Sequence, residues 1–406
     1  MLNNTGNREL AYLVKVDNIK PIEGRDRVEC AEVGGWTVMV QKNQFHPGDI
    51  GIYFEVDSKV PEKEPFLFLD KKKFKIKIQK FKTPSGQFWS QGLLMHPSDF
   101  GWTVEEDIVI DNKGTAHAAD GESRFLTKLL DVTYADAEDN KRKAEPNPDK
   151  AINAALARHP KFAKKYGKTV KKNKFLRWFF ILLWGKKKID NAKAWPSHIA
   201  AKTDVERIQN MIYILKNKEP FVATEKIDGS SCSIMCERKA FGKIKKYICS
   251  RNVVSDAPDQ RCFYDTNIYY EAYLKYNLKE KIVQILKDYD LPNVALQMEV
   301  YGEGIQKRDY STKEHKIAVF HIVSNRVKLP MEKVVEICEK YDIPHVPILN
   351  TDYILPDTLE ELQNYVEGEN SKIDGLPKEG IVFYDKKTGQ QYFKFVSPEF
   401  LIKYHN

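Results

Sequence analysis

The chain has 406 residues with 65 Lys or Arg against 57 Asp or Glu, a net charge of +8 at neutral pH. Apolar residues are 42% and aromatics 12% of the total, which excludes a wholly disordered class and leads us to expect two or three packed domains. The six cysteines, Cys30, Cys232, Cys236, Cys249, Cys262 and Cys338, form no Cys-x-x-Cys pair, which speaks against a zinc ribbon and for buried thiols.

Charge is unevenly placed. Between Lys141 and Lys193 there are seventeen Lys or Arg and three Asp or Glu, a local +14 that leaves about −6 for the rest. Such a block suits a polyanion, nucleic acid or an anionic membrane surface, or a solvated linker. No secretory signal is visible at the N-terminus, so a reduced, cytoplasmic setting and a monomer are expected.

Residues 1–118 read as short strands at Ala11–Val16, Val28–Val33, Trp36–Val40, Gly51–Val56 and Phe74–Lys80. Gly34-Gly35 and His46-Pro47-Gly48-Asp49 mark turns between them. Several short strands in about a hundred residues predict a small barrel of the OB type. Phe74, Phe81, Phe88 and Trp89 stand among lysines, as in surfaces that stack nucleic-acid bases.

Residues 119–195 are predicted to be a basic helical linker or insertion. A helix fits Asp149–Tyr166, with Pro160 as a boundary. The apolar stretch Lys174–Trp184 is too short to span a bilayer, which takes about twenty apolar residues. It is expected to be a helix docked on the neighbouring domains rather than a membrane segment.

Residues 196–406 read as a larger mixed domain. A helix is expected over Asp204–Lys216, capped by Thr203 or Asp204. Strands are predicted at Phe221–Glu225, Ser231–Glu237, Ile244–Cys249, Val294–Tyr301, Lys316–Val323, Gly380–Tyr384 and Gln391–Phe395. Helices are predicted at Ile268–Tyr276, Leu278–Tyr289, Met331–Tyr341 and Leu359–Val366.

The chemistry concentrates at Ala223-Thr224-Glu225-Lys226-Ile227-Asp228-Gly229-Ser230-Ser231. In an extended strand residues i and i+2 share a face, so Lys226 and Asp228 are expected in one pocket. Gly229 would allow a turn or a close approach. A lysine nucleophile beside a carboxylate suits covalent nucleotidyl transfer. The motif is short, and Lys372-Ile373-Asp374-Gly375 repeats it. Downstream of Lys226 come Ser250-Arg251-Asn252, Glu299 inside an apolar strand, Phe320, Glu379 before Gly380, and Lys394 in an aromatic strand. Each alone has a bland reading as a salt bridge, core ring or exposed edge residue.

Together they resemble the covalent nucleotidyltransferase superfamily, and within it the ATP-dependent RNA ligases with an N-terminal OB-fold domain. Pro196–Asn210, Ser90–Leu94 and Asp342–Pro347 are similar to text of that family. The resemblance implies a multidomain α+β fold: an OB-like barrel (1–118), the basic helical linker (119–195) and a nucleotidyltransferase domain of ATP-grasp-like antiparallel sheets with helices (196–406). It implies Lys226 as nucleophile rather than Lys372, because only Lys226 has the other elements after it in family order. It implies ATP as co-substrate, a lysyl-AMP, transfer of AMP to an RNA 5′-phosphate, and sealing by a 3′-hydroxyl. Glu299 and Glu379 would hold Mg²⁺ or Mn²⁺ and Asp228 its waters, with Lys394 and the metal lowering the lysine pKa. Thr224, Glu225, Ser231, Arg251, Phe320, Lys394 and Arg207 complete the expected nucleotide site. Many relatives carry a lysine where this chain has Tyr392, so Lys394 acts alone or another cation helps. Every nucleotide-contacting residue expected on this basis lies beyond Trp195. Open alternatives are a DNA ligase, a capping guanylyltransferase, or an inactive RNA-binding relative. The first two usually carry a barrel after the last lysine motif, and only Phe395–Asn406 remains there.

Overall fold

The structure is a computed structural model that describes residues 1–84, 86–135, 152, 156, 159–184, 193, 195–258, 264, 266–390 and 392–405. Cys262, the Asp149 start of the expected linker helix and the Gln391 start of the last expected strand lie outside the described residues.

The N-terminal strands differ in burial: Trp36–Gln41 alternates, whereas Ile50–Phe54 is buried throughout. Ala11–Lys15, Ile50–Phe54 and Leu93–Met95 form one antiparallel sheet, and Asn18–Ile22, Arg25–Val33 and Trp36–Gln41 another. Gly34, with φ +57°, makes the turn between the last two. The expected strand over Phe74–Lys80 instead begins at Gln79 and pairs with Gly86–Ser90. Phe74 has φ +58°, a left-handed conformation that no strand continues through. The body also runs past residue 118: Leu126, Leu130 and Val132 pack in its core, and Thr133–Tyr134 pairs with Ser58–Lys59.

The basic segment supplies two helices, Pro160–Lys172 with proline in its first turn and Lys174–Trp184. They pack on each other around Ile152, Leu156, Val170 and Phe180. The expectation that the apolar helix docks on neighbouring domains is not met. Phe175, Trp178, Phe179, Leu182 and Leu183 remain exposed, since a short hairpin can cover only one of its faces. Among the described residues no helix is long and apolar enough to cross a membrane.

The C-terminal domain holds two antiparallel sheets. One has the order Ile244–Cys249, Ser230–Arg238, Asn293–Tyr301, Lys316–Ser324, Val327–Lys328. The other has Ile348–Tyr353, Phe221–Lys226, Gly380–Asp385, Tyr392–Val396. Helices Ile268–Lys275, Leu278–Asp288 and Met331–Lys340 cover the first sheet with Ile282, Leu286, Val334 and Ile337. Helix Leu359–Glu367 covers the second with Leu362 and Val366. Helix Pro398–His405 ends the described chain. The strand Ile348–Tyr353 and this last helix have no counterpart in the sequence reading.

The helix expected over Asp204–Lys216 does not form. Extended backbone leads into two short 3₁₀ turns at Ile208–Asn210 and Ile212–Lys216. The competing partner is the edge strand Tyr392–Val396: the Glu206 carbonyl accepts the Lys394 N–H at 2.8 Å. Thr203 and Asp204 therefore cap nothing. Thr203 Oγ1 lies 2.6 Å from Ser231 Oγ, and Asp204 pairs with Arg251.

The two domains share core and hydrogen bonds. Val396 and Leu401 pack with Tyr12, Trp36 and Tyr53. Gly35 N–H donates to the Gln209 carbonyl at 2.7 Å, and Trp36 Nε1 donates to Asn210 Oδ1 at 2.7 Å.

Candidate active site

Register explains how the motif residues meet. Lys226, at the end of its strand, pairs with Gly380, which sets Glu379 beside it. One row across three strands holds Thr224, Val382 and Lys394. In the other sheet Glu299 pairs with Ser231. The ladder skips Phe320 between His321 and Val319, a β-bulge of the kind that re-aims a side chain. Thr224, Lys226, Ser231, Glu299, Phe320, Val382 and Lys394 line one cavity of about 360 Å³, together with Asp228, Arg207 and Arg251, and Glu379 meets it through Lys226.

Gly229 is needed for a close approach, not for a left-handed turn. A Cβ there would fall inside contact distance of the Val300 carbonyl and 2.8 Å from Glu299 Cγ. Its absence lets the Lys226–Asp228 segment lie against the Glu299 strand.

The nucleophile candidate is held by acid. Lys226 Nζ donates to Glu379 Oε2 at 2.7 Å. Burial pushes the ammonium pKa down, but Glu379, Glu299 and Asp228 outweigh it and hold the pKa above the usual lysine value. In the protein alone the carboxylates thus outweigh the lowering expected from Lys394. Lys394 itself is pushed well down, first by burial and then by Arg8, Lys226 and Arg207. The Glu299 carboxyl is pushed up to about 8 by burial, with Lys226 opposing and Glu379 adding to the rise.

Asp228 is buried, and its backbone N–H donates to Tyr310 Oη at 2.6 Å. Its Oδ2 has no hydrogen-bond partner, and the His405 ring, charged only when protonated, places Nε2 3.5 Å away. Among the described residues no three acidic, His or Cys side chains converge as a ready metal site. Asp228 and Glu299 line the cavity, whereas Glu379 stands beside it, drawn to Lys226. A partnerless carboxylate oxygen and a carboxyl held protonated by burial are nevertheless a donor set that a divalent cation would satisfy.

Two expected nucleotide residues line the cavity while their side chains are engaged with other partners. Glu225 alternates to the opposite face from Lys226. Its carboxylate accepts from Ser371 Oγ and, at 2.8 Å, from the Lys372 N–H. Ser231 is engaged with Thr203. The second Lys-x-Asp-Gly copy is this same tie. Lys372 is exposed, while Asp374 forms a buried pair with Arg308, whose guanidinium lies 4.2 Å from the Tyr310 ring centre. The second copy therefore braces the tyrosine that holds Asp228.

Arg8, Asp57 and Tyr134 of the N-terminal domain also line the cavity, as does His405. The sequence reading named none of the four; the cavity that holds its named residues, all beyond Trp195, is lined from the N-terminal domain as well. Arg207 joins the domains: its Nη2 lies 3.6 Å from Asp57 Oδ2, and its guanidinium stands 5.6 Å from the Trp36 ring centre.

Comparison with known proteins fits this geometry. Residues 219–404 match the RNA ligase family model, and residues 10–96 match an OB-fold domain model. The stretch that matches the RNA ligase model thus lies behind the one that matches the OB-fold model. The chain's fold is that of an RNA ligase of Naegleria gruberi. A variant of that protein with ATP and Mn aligns over 98% of this chain and 100% of the other, with TM-score 0.69 and 23% identity. A variant with AMP and Mn gives TM-score 0.68 at 23% identity over 98% and 99% of the two chains. The protein with PPi gives 0.67 at 22% identity, again over 98% and 99%. No curated protein sequence matches the chain.

Proposed function

We propose that this protein is an ATP-dependent RNA ligase that joins 3′-hydroxyl and 5′-phosphate RNA ends, at nicks in duplexes, through a lysyl-AMP and a 5′-adenylylated RNA. The observation that carries the reading is the position of Lys226, at a strand end inside a cavity shared with Phe320, Arg207, Lys394, Asp228 and Glu299, with Glu379 on its Nζ. The RNA ligase match over residues 219–404 supports the substrate class, and ATP and Mn accompany the similar Naegleria protein.

In the reaction Lys226 Nζ, as free amine, bonds to the α-phosphorus of ATP, and the bond from that phosphorus to the β-phosphate oxygen breaks. Phe320 offers a face for adenine stacking and Arg251 a donor near the ribose. Lys394 and Arg207 meet negative charge on phosphate oxygens, the principal demand of phosphoryl transfer. Asp228, Glu299 and Glu379 would hold a divalent ion. Bound there, Mg²⁺ or Mn²⁺ would offset the carboxylates that keep Lys226 protonated and would shield phosphate charge.

Incubation with α-labelled ATP or GTP, followed by nicked RNA, tests the reading. Covalent label from ATP alone, chased into a sealed strand, is the expected result. Label from GTP would favour a capping enzyme, and sealing of DNA nicks alone a DNA ligase. Either outcome defeats the proposal.

A further inference from the structure

Five cations and no acid stand in the nine residues from Arg238 to Lys246. They form the far end of a hairpin in the C-terminal domain, where Ser230–Arg238 and Ile244–Cys249 pair in unbroken register from Ser233 with Cys249 to Arg238 with Ile244. The near end of the hairpin belongs to the nucleotide cavity, which Ser230, Ser231 and Arg251 line. At the far end Arg238 through Lys245 are all exposed. The tip holds Phe241, which is 99% exposed and has φ +59° and ψ +31°. Gly242 follows at φ +71°. Left-handed turn positions go to Gly, Asn or Asp, because a bulky side chain is strained there. Gly242 meets that demand and Phe241 does not. A ring wholly in water gains no burial to offset the strain. Strain with no packing behind it points to a contact made outside the fold.

Charge says what that contact is. Arg238 pairs with Asp290 and Lys239 with Glu237, each at 3.0 Å. Lys243, Lys245 and Lys246 make no ion pair among the described residues. Lys245 Nζ lies 4.7 Å from the Tyr247 ring centre and Lys246 Nζ 4.6 Å from that of Tyr273, contacts that steady an ammonium without neutralising it. Such a surplus repels a second copy of the tip and attracts a polyanion. An apolar ring among lysines matches a sugar–phosphate backbone, with phosphates on the ammoniums and sugars against the ring. From Ser231 to Arg238 the strand carries the tip roughly 23 Å from the cavity, at about 3.3 Å per residue. That is a span of about seven base pairs, at roughly 3.4 Å each.

We propose that the Phe241 tip is an outlying grip on duplex RNA, about seven base pairs from the nick, with Lys243 and Lys245 on phosphates and the Phe241 ring in the wide, shallow minor groove of the A-form helix. This rests on the reading of nicked duplex RNA as the substrate. The hairpin ties the grip to the cavity through both of its strands. The C-terminal domain then measures the length of paired RNA beyond the joint as well as holding the nucleotide.

The test uses the full chain, native and Phe241→Asn, binding nicked RNA duplexes whose arms are cut in turn from about twelve to about four base pairs, lengths that bracket the span above. Asparagine suits a left-handed turn, so the variant should unfold at a higher temperature than the native chain. It should bind the long-armed duplex at least fivefold more weakly. Labelling from α-labelled ATP, which needs no RNA, checks its nucleotide site. Shortening one of the two arms should cost the native protein at least fivefold in affinity and the variant less than twofold. Lys243→Ser should flatten the salt dependence of RNA binding by about one unit. Native RNA affinity or a native arm-length dependence in Phe241→Asn, a lower unfolding midpoint in that variant, or an unchanged salt slope in Lys243→Ser overturns the assignment. So does loss of self-association or of anionic-vesicle binding in Phe241→Asn at unchanged RNA affinity. Native protein that seals no nicked RNA sinks the underlying reading instead, so the two failures are distinguishable.

Discussion

Lys226 and Lys372 stand in the same four-residue text and do opposite work. Lys226 faces the cavity; Lys372 faces solvent while its neighbours Ser371 and Asp374 brace the loop. Lys226→Ala should abolish covalent AMP labelling, and Lys372→Ala should leave most of it, as read on a denaturing gel with α-labelled ATP. Asp374→Ala should act through stability. It strands the Arg308 charge in the interior, at a cost of about 3–5 kcal/mol by denaturant titration. Glu299 carries a pH signature. Its folded pKa of about 8 lies above the unfolded 4.5, so the folded state binds the extra proton and metal-free stability falls as pH rises through that window. With a chelator present, Glu299→Gln should raise the unfolding midpoint at pH 8, and the gain should shrink toward pH 4.5. An equal gain at both ends would contradict the assignment.

At the scale of elements, most strands were legible as short runs rich in β-branched and aromatic residues bounded by turn residues, and the motif was legible because it sits at a strand end. Residues 204–216 misled for a physical reason. Val205, Ile208, Met211, Ile212 and Leu215 have helical spacing, but the backbone is captured by the edge strand carrying Lys394. The bulge that re-aims Phe320 has no local sequence signal, since a single unpaired residue leaves the apolar run on either side intact. Gly229→Ala should abolish labelling and destabilise the fold, because the added methyl meets the Val300 carbonyl. A well-folded, active alanine variant would refute the close-approach account. The basic hairpin is separate from the cavity. Replacing Lys164, Lys165, Lys171, Lys172 and Lys174 with Ser should weaken RNA binding, flatten its salt dependence by about one unit per lost phosphate contact and spare AMP labelling. Loss of pelleting with anionic vesicles at unchanged RNA affinity would instead mark the exposed aromatic helix as a membrane element.

Across the whole molecule, the cavity is built from both ends of the chain. Arg8, Asp57 and Tyr134 reach it from the N-terminal domain, and His405 reaches it from the last helix. None of this was readable from the sequence, because contacts separated by hundreds of residues leave no periodicity. The ligase domain alone, starting near Trp195, should therefore form lysyl-AMP at least tenfold more slowly than the full chain, and should seal nicks poorly. A normal adenylylation rate in that truncation would return the N-terminal domain to RNA holding. The central claim is tested most directly by incubating the full chain with α-labelled ATP and a divalent metal, digesting it and locating the label by mass spectrometry. The account predicts one AMP, on Lys226, transferable to a 5′-phosphorylated RNA at a nick. AMP on Lys372 or another residue, or no covalent AMP under any metal condition, would contradict it.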